Sequence, residues 1–185
     1  MVKMQRWKSK LQVRGVIMKK VVKFGGSSLA SAEQFKKVGD IIRADKSRRY
    51  VVPSAPGKRS SSDTKVTDML YSCYNLAIRE KKFTSLLDEI HARYNEIIDG
   101  LNLELSLDHE FDMIRENFGK KIGRDYAASR GEYLNGIIMA NYLGFCFIDA
   151  AEVIRFHEDG SLDDEKTNEL LSLRLEGEEF AVIPG

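Results

Sequence analysis

Lys23-Phe24-Gly25-Gly26-Ser27-Ser28 joins a short apolar segment to the first amphipathic stretch of the chain. The apolar residues at 21–24 (VVKF) predict a short strand, and the two glycines that follow predict its end. The hydroxyl side chains of Ser27 and Ser28 predict a helix N-terminus at this point, with the helix running to about Lys46. The segment therefore predicts a strand–turn–helix unit, the building block of α/β domains.

The same six residues have the composition of a phosphate-binding turn. Glycine lets the backbone N–H groups of Gly25 and Gly26 approach an anion, and a helix N-terminus adds partial positive charge. Lys23 supplies a full positive charge. The residue order differs from the GxxxxGK[ST] phosphate loop and from the GxGxxG dinucleotide fingerprint. An ordinary strand-to-helix turn is the alternative that this segment alone leaves open.

Outward from this segment, strands and helices alternate along the chain. Apolar runs predict three further strands, at residues 50–52, 145–148 and 180–183. Helical periodicity predicts five further helices, at about 66–80, 83–98, 105–118, 125–142 and 163–175. Residues 58–64 are a polar, serine-rich loop without periodicity. This alternation predicts an α/β domain with a mostly parallel central sheet covered by helices.

Composition fits one folded domain and excludes several other classes. The 185 residues are 43% hydrophobic and 31% charged, with three prolines, which excludes a disordered or collagen-like chain. No apolar run approaches the roughly 18 residues of a membrane span, so no membrane partner is expected. Cys73 and Cys146 lack metal-type spacing, which favours reduced thiols in a cytoplasmic protein. The three histidines share no ligand spacing either, and no metal site is predicted.

The two ends of the chain differ from its middle. Residues 1–17 form a basic leader without apolar periodicity, which we expect to be disordered. Met18, directly before the first strand, favours an upstream start codon over the alternatives of a basic tail or a transit-like segment. The remainder of the chain is acidic overall, which argues against nucleic-acid binding. Pro184–Gly185 follows an apolar strand, where α/β folds place their ligand-binding loops. We therefore expect residues 18–185 to be the amino-terminal part of a longer domain.

Four motifs occur in order: KFGGSSLA at Lys23–Ala30, VVPSAPGK at Val51–Lys58, SRGEYL at Ser129–Leu134 and FIDAAEV at Phe147–Val153. Together they resemble the amino-terminal, substrate-side part of aspartate kinases, within the amino acid kinase family. The resemblance implies a three-layer αβα sandwich. It also implies phosphoryl transfer from ATP, with Mg²⁺, to the side-chain carboxylate of L-aspartate, the first step toward lysine, threonine and methionine.

The resemblance also assigns roles to residues. Lys23 is predicted as the catalytic cation on the transferring phosphoryl group, and the turn Gly25, Gly26, Ser27 and Ser28 as the phosphate-binding donors. A solvated lysine at the end of a strand is the alternative for Lys23.

On the substrate side, Glu132 is predicted to bind the ammonium group of aspartate. Its alternative is a surface glutamate paired with Arg130. Ser54 and Thr67 match positions near the substrate, although hydroxyl residues at these places are also ordinary helix caps. Asp149 is interpreted as a turn residue, with a polar group of the site as the alternative. Lys58 and its neighbour Arg59 are interpreted as a solvated loop pair, with contact to phosphate as the alternative.

Two departures from the family pattern limit the resemblance. Pro53 stands where a strand hydrophobe is usual. The chain also lacks the G-F-x-G and G-R-G-G-S-D-like segments and the regulatory domains with which the family continues, so we expect it to be inactive alone. Two alternatives stay open: a non-catalytic fragment or binding module, and another amino acid kinase. A homo-oligomeric complete enzyme is also left open.

Overall fold

Four strands form one parallel sheet in the structure, a computed structural model that describes residues 18–185. The strands are Lys20–Phe24 (β1), Arg48–Pro53 (β2), Cys146–Phe147 (β3) and Ala181–Val182 (β4). Their order is β1-β2-β4-β3, and each of the three pairings is parallel. The predicted parallel α/β sheet is thus confirmed. The predicted basic leader, residues 1–17, lies outside the described residues.

Seven α-helices accompany this sheet within residues 18–185. They are Ala32–Arg43 (α1), Val66–Ile78 (α2), Thr84–Gly100 (α3), Asp108–Gly119 (α4), Arg124–Leu143 (α5), Ala150–Val153 (α6) and Asp164–Arg174 (α7). Apolar periodicity predicted all of them except α6. That helix has four residues, which is too short for a period of 3.6 residues to repeat.

The first helix begins later than the sequence predicted. Gly26–Leu29 form a single 3₁₀ turn, and α1 starts only at Ala32. Ser31 is its N-cap, with Oγ accepting a hydrogen bond from the backbone N–H of Gln34 at 3.4 Å. The predicted cap at Ser27 and Ser28 is therefore wrong. Leu29 is fully buried, so the extra turn brings an apolar side chain into the core before the helix starts.

Helices cover both faces of the sheet. Val51 of β2 and Val182 of β4 face a large core that α1 to α5 supply with apolar side chains. Ala181, the neighbour of Val182, faces the other way into a smaller core that α6 and α7 cover. Side chains of successive strand residues point to opposite faces, so the two cores mark opposite sides of the sheet. This arrangement confirms the predicted three-layer αβα sandwich.

Pro53 occupies the last position of β2, in register with Phe24 at the end of β1. The N–H of the next residue, Ser54, donates to the Phe24 carbonyl at 3.0 Å. The pairing of β1 with β2 therefore continues past the proline, and the two strands end side by side. In residues 18–185 we find no helix long and apolar enough to cross a bilayer.

Candidate active site

A cleft of about 480 Å³ opens where β1 and β2 end. Its lining residues are Gly26, Ser27, Ser54, Ala55, Pro56, Gly57, Lys58, Lys65, Thr67 and Glu132. The cleft thus brings together the glycine turn after β1, the loop after β2, the first turn of α2 and the middle of α5. Carboxyl ends of parallel strands are where α/β folds bind ligands. Five residues predicted from the sequence meet here: Gly26, Ser27, Ser54, Thr67 and Glu132.

The glycine turn and the loop after β2 touch backbone to backbone. The N–H of Gly57 donates to the carbonyl of Gly26 at 2.8 Å. A Cβ on Gly57 would lie 2.5 Å from the carbonyl carbon of Gly26, and a Cβ on Gly26 would lie 2.7 Å from the carbonyl oxygen of Ala55. Glycine is therefore required at both positions for this close approach. The sequence showed the need at Gly26 but not at Gly57.

Lys23, Gly25 and Ser28 flank the cleft without lining it. Lys23 is exposed on β1, in register with Val52 of β2. The backbone N–H of Ser28 donates to the carbonyl of Gly25 at 3.0 Å, so this N–H is used within the turn. The hydroxyl group of Ser28 is therefore the donor with which this residue could bind a phosphate.

Glu132 is a half-buried carboxylate on the wall that α5 contributes. Burial raises the pKa of Glu132, and the positive charge of Lys23 opposes this shift. Gly185 lies beside it, because a Cβ built there would be 3.2 Å from Oε2 of Glu132. A carboxylate whose charge is disfavoured by desolvation gains from a bound cation, which is what an ammonium group would supply.

Arg130 is not the partner of Glu132. Its guanidinium carbon lies 4.6 Å from the ring centre of Tyr126 and 4.4 Å from that of Tyr133, and its Nε and Nη2 donate to Ser129 Oγ. Arg130 thus belongs to a second cavity of about 320 Å³, which includes none of the predicted site residues.

Ser54 and Thr67 hold fixed places on opposite sides of the loop after β2. The carbonyl of Ser54 accepts from Nδ2 of Asn135, one turn beyond Glu132 on α5, at 2.6 Å. Thr67 lies in the first turn of α2, which the N–H of Val66 ties to the carbonyl of Pro56 at 3.2 Å. No side chain caps α2, so its first N–H groups add partial positive charge to this end of the cleft.

Lys58 and Arg59, which the sequence suggested as one solvated pair, separate in the structure. Lys58 lines the cleft together with Lys65. Arg59 turns away and pairs with Asp63 at 3.1 Å and with Glu96 at 2.8 Å. Hydrogen bonds from Arg59 hold the pKa of the Asp63 carboxyl well below its usual range. An adjacent lysine and arginine give no local signal of which of them faces the cleft.

Asp149 acts as a cap and not as part of the cleft. Its carboxylate accepts from the backbone N–H of Ala151 at 3.0 Å, at the start of α6. Among residues 18–185, no three His, Cys, Asp or Glu side chains are grouped as a metal site would require.

These observations define an α/β domain with helices on both faces of a parallel sheet and a lysine-bordered cleft at the glycine turn. Residues 18–185 match the amino acid kinase family, and the chain belongs to this family.

Aspartate kinases are among the proteins that this chain resembles. Aspartokinase 3 of Bacillus subtilis is 46% identical over 88 residues, which are 48% of this chain and 19% of that protein. The crystal structure of Clostridium acetobutylicum aspartate kinase matches with a TM-score of 0.87 and 45% identity, over 91% of this chain and 39% of that one.

Escherichia coli aspartokinase III, solved in complex with aspartate and ADP, matches with a TM-score of 0.67 and 21% identity. The match covers 89% of this chain and 40% of that one, and it shows a shared fold. The chain therefore spans less than half the length of the relatives that it matches.

Proposed function

We propose that the protein containing this chain is an aspartate kinase, which converts L-aspartate and ATP to 4-phospho-L-aspartate and ADP. One observation carries the proposal: the half-buried carboxylate of Glu132 shares a cleft with the glycine turn. A site with this pair of features can hold an ammonium group at one end and phosphates at the other. The similarity to aspartate kinases supports the choice of substrate.

The reaction requires little covalent chemistry from the protein. A carboxylate oxygen of aspartate attacks the γ-phosphorus of ATP, and the bond from that phosphorus to the β-phosphate oxygen breaks as ADP leaves. Catalysis then consists of positioning the two substrates and stabilising charge on the transferring group. Lys23 supplies this charge in our proposal, because it is the last but one residue of β1 and only Phe24 separates it from the glycine turn.

Substrate binding is divided between two ends of the cleft. Glu132 binds the ammonium group of aspartate, and the hydroxyl groups of Ser54 and Thr67 contact the rest of the amino acid. Gly25, Gly26, Ser27 and Ser28 hold the phosphates of ATP, which arrives with Mg²⁺. We further infer a cytoplasmic enzyme of lysine, threonine and methionine biosynthesis that binds neither nucleic acid nor membrane.

The test of the catalytic role is the substitution Lys23→Ala in the full-length protein. We expect kcat to fall by about a hundredfold, the scale at which loss of one electrostatic stabiliser acts. Lys20→Ala is the matched control, since Lys20 lies on the same strand but pairs with Asp45 at 2.8 Å, away from the cleft. An unchanged kcat in Lys23→Ala, measured by ADP release, would show that Lys23 is a solvated lysine without a catalytic role.

The test of substrate binding is Glu132→Ala. The ammonium group does not change during the reaction, so this variant should raise the KM for aspartate and leave the KM for ATP nearly unchanged. Glu116→Ala, at an exposed glutamate paired with Lys120, should change neither constant. If the wild-type protein phosphorylates another amino acid while aspartate stays inert, the protein is a different amino acid kinase.

A further inference from the structure

Arg93 and Tyr94 are consecutive buried residues of α3, a helix that contributes no side chain to the lining of the cleft. Arg93 is 3% exposed and Tyr94 is fully buried. Each reaches a different wall of the cleft through a hydrogen bond to a backbone carbonyl.

Arg93 fixes the loop after β2. Its Nη1 donates to the carbonyl of Thr64 at 2.7 Å, and its Nη2 donates to the carbonyl of Gly57 and pairs with Asp63 at 3.1 Å. Lys58 and Lys65, which line the cleft, are the direct neighbours of the two bonded carbonyls. One guanidinium group thus sets the distance between the two ends of this loop.

Hydrogen bonds of Gly57 also connect Arg93 to the glycine turn. Arg93 binds the carbonyl of Gly57, and the N–H of the same residue donates to the carbonyl of Gly26 at 2.8 Å. Gly26 and Ser27 form the phosphate end of the cleft. A shift of Gly57 would therefore move the glycine turn, whose N–H groups would face phosphate.

The charge of Arg93 is balanced where it is buried. Asp63 is its ion partner, and Arg59 keeps the Asp63 carboxyl ionised by lowering its pKa. A buried guanidinium with a fixed carboxylate and two carbonyl acceptors has few alternative positions, which suits a group that sets geometry.

Tyr94 fixes the opposite wall. Its hydroxyl group donates to the carbonyl of Gly131 at 2.7 Å, in the residue before Glu132. Gly131 is also where α5 touches the loop after β2, since a Cβ there would lie 2.8 Å from Cβ of Ala55. Burial raises the pKa of Tyr94 well above its usual value; the charge of Arg93 opposes this shift, and the charge of Glu132 adds to it. The hydroxyl group thus stays a donor at neutral pH.

We propose that Arg93 and Tyr94 are positioning residues of the cleft: Arg93 aligns the phosphate end and Tyr94 aligns Glu132. The kinetic part of this inference rests on the proposed aspartate kinase function. α3 then acts as a common brace for the two substrate ends, although it touches neither substrate.

Tyr94→Phe in the full-length protein tests the Glu132 side. It removes one oxygen and keeps the ring, so we expect the KM for aspartate to rise about fivefold to tenfold, the scale of one buried hydrogen bond. The KM for ATP should stay unchanged. Tyr126→Phe is the control. This variant also loses one hydrogen bond, which the Tyr126 hydroxyl group accepts from Nδ2 of Asn117 at 2.8 Å and which does not involve Gly131.

Arg93→Lys tests the phosphate side. Lysine keeps the charge but cannot bond two carbonyls and a carboxylate in the same fork geometry. We expect the KM for ATP to rise and kcat to fall, each by about tenfold, with a larger loss in Arg93→Met. Arg115→Lys is the control, because Arg115 bridges Asp88 and Asp112 on the surface.

Amide hydrogen exchange supplies a readout that does not depend on activity. We expect the Gly57 amide to exchange about tenfold faster in Arg93→Lys, and the amides of residues 131–135 to exchange faster in Tyr94→Phe. Wild-type KM values and exchange rates at these amides, with only a lower unfolding free energy, would overturn the proposal and leave Arg93 and Tyr94 as core residues. A wild-type protein without aspartate-dependent turnover would refute the proposed function, and exchange would still decide the positioning role.

Discussion

Glu132 illustrates, at the scale of one residue, a conflict between ligand binding and folding stability. Burial raises the pKa of its carboxyl, and Lys23 offsets part of the shift. Because the folded-state pKa lies above the unfolded one, the carboxyl favours folding only when protonated. This contribution is complete below the unfolded pKa and is lost as the pH rises through the folded pKa. At neutral pH the charged carboxylate therefore opposes folding until a cation binds.

We expect Glu132→Gln to raise the free energy of unfolding at pH 7. The gain should shrink as the pH falls toward about 4, where an ordinary glutamate becomes protonated. Urea denaturation of the 185-residue chain at both pH values measures the difference. Glu116→Gln should show no such gain, because Lys120 lowers the pKa of Glu116 and so reverses the sign. Lower stability of Glu132→Gln at pH 7 would contradict this interpretation.

Gly57 offers a second test at this scale. A Cβ there would meet the backbone of Gly26 and Ser27 at 2.5 and 2.7 Å, and backbone atoms cannot move aside as a flexible side chain can. Gly57→Ala should therefore cost about 1–3 kcal/mol, the usual cost of overpacking. Gly25→Ala is the matched control, since a Cβ on Gly25 meets nothing within 4 Å. Equal thermal unfolding midpoints for Gly57→Ala and Gly25→Ala would show that the glycine turn and the loop after β2 separate easily.

Individual site residues were predictable where local sequence carries the signal. Gly26 and Ser27 follow directly from the strand–turn pattern, and Glu132 from the motif around it. The different surroundings of Lys58 and Arg59 were not predictable, because which of them faces the cleft depends on Asp63 and on the distant Glu96.

At the scale of elements, the N-terminus of α1 separates two hydroxyl residues that look alike in sequence. Ser31 caps α1, whereas Ser28 lies in the preceding 3₁₀ turn. Ser31→Ala should lower the unfolding free energy by about 1 kcal/mol, the typical value of an N-cap. Ser28→Ala should lower it much less. The reverse order in urea denaturation would place the start of the helix where the sequence alone suggested.

Long helices were predictable from the sequence, whereas helical segments of about one turn were not. Helices α2 to α5 show several turns of apolar periodicity, so their positions were found within a few residues. The 3₁₀ turn Gly26–Leu29 and the four-residue helix α6 are each about one turn long, and no period can be read from one turn. The 3₁₀ turn depends on the burial of Leu29, which is a tertiary effect.

On the scale of the whole molecule, the contacts that shape the cleft join distant parts of the sequence. Arg93 and Tyr94 each bind a carbonyl more than 35 residues away, at Gly57 and Gly131. Asn135 binds Ser54 across 81 residues. Periodicity marked α3 and α5 as helices with buried faces, but it could not distinguish a buried polar residue that braces a site from one that only fills the core. That distinction required the fold.

The two cores on opposite faces of the sheet differ greatly in size, and this difference predicts unequal local stability. The large core contains fully buried aromatic side chains, whereas Thr167 is the one buried residue of α7. Thr167 ties α7 to the chain after α6, because its Oγ1 accepts from the N–H of Arg155 at 3.0 Å. Local opening of α7 should therefore need much less free energy than opening of α5.

We expect amides in α7 to exchange at least about tenfold faster than those in α5 in the 185-residue chain, with little dependence on denaturant, as local opening exposes little surface. Thr167→Ala should speed exchange in α7 further and leave α5 unchanged. Ser72→Ala is the control, since the Ser72 hydroxyl group bonds only within α2, to the Asp68 carbonyl at 2.9 Å. Equal protection of α5 and α7, with the same steep denaturant dependence, would show that both helical layers open as one unit.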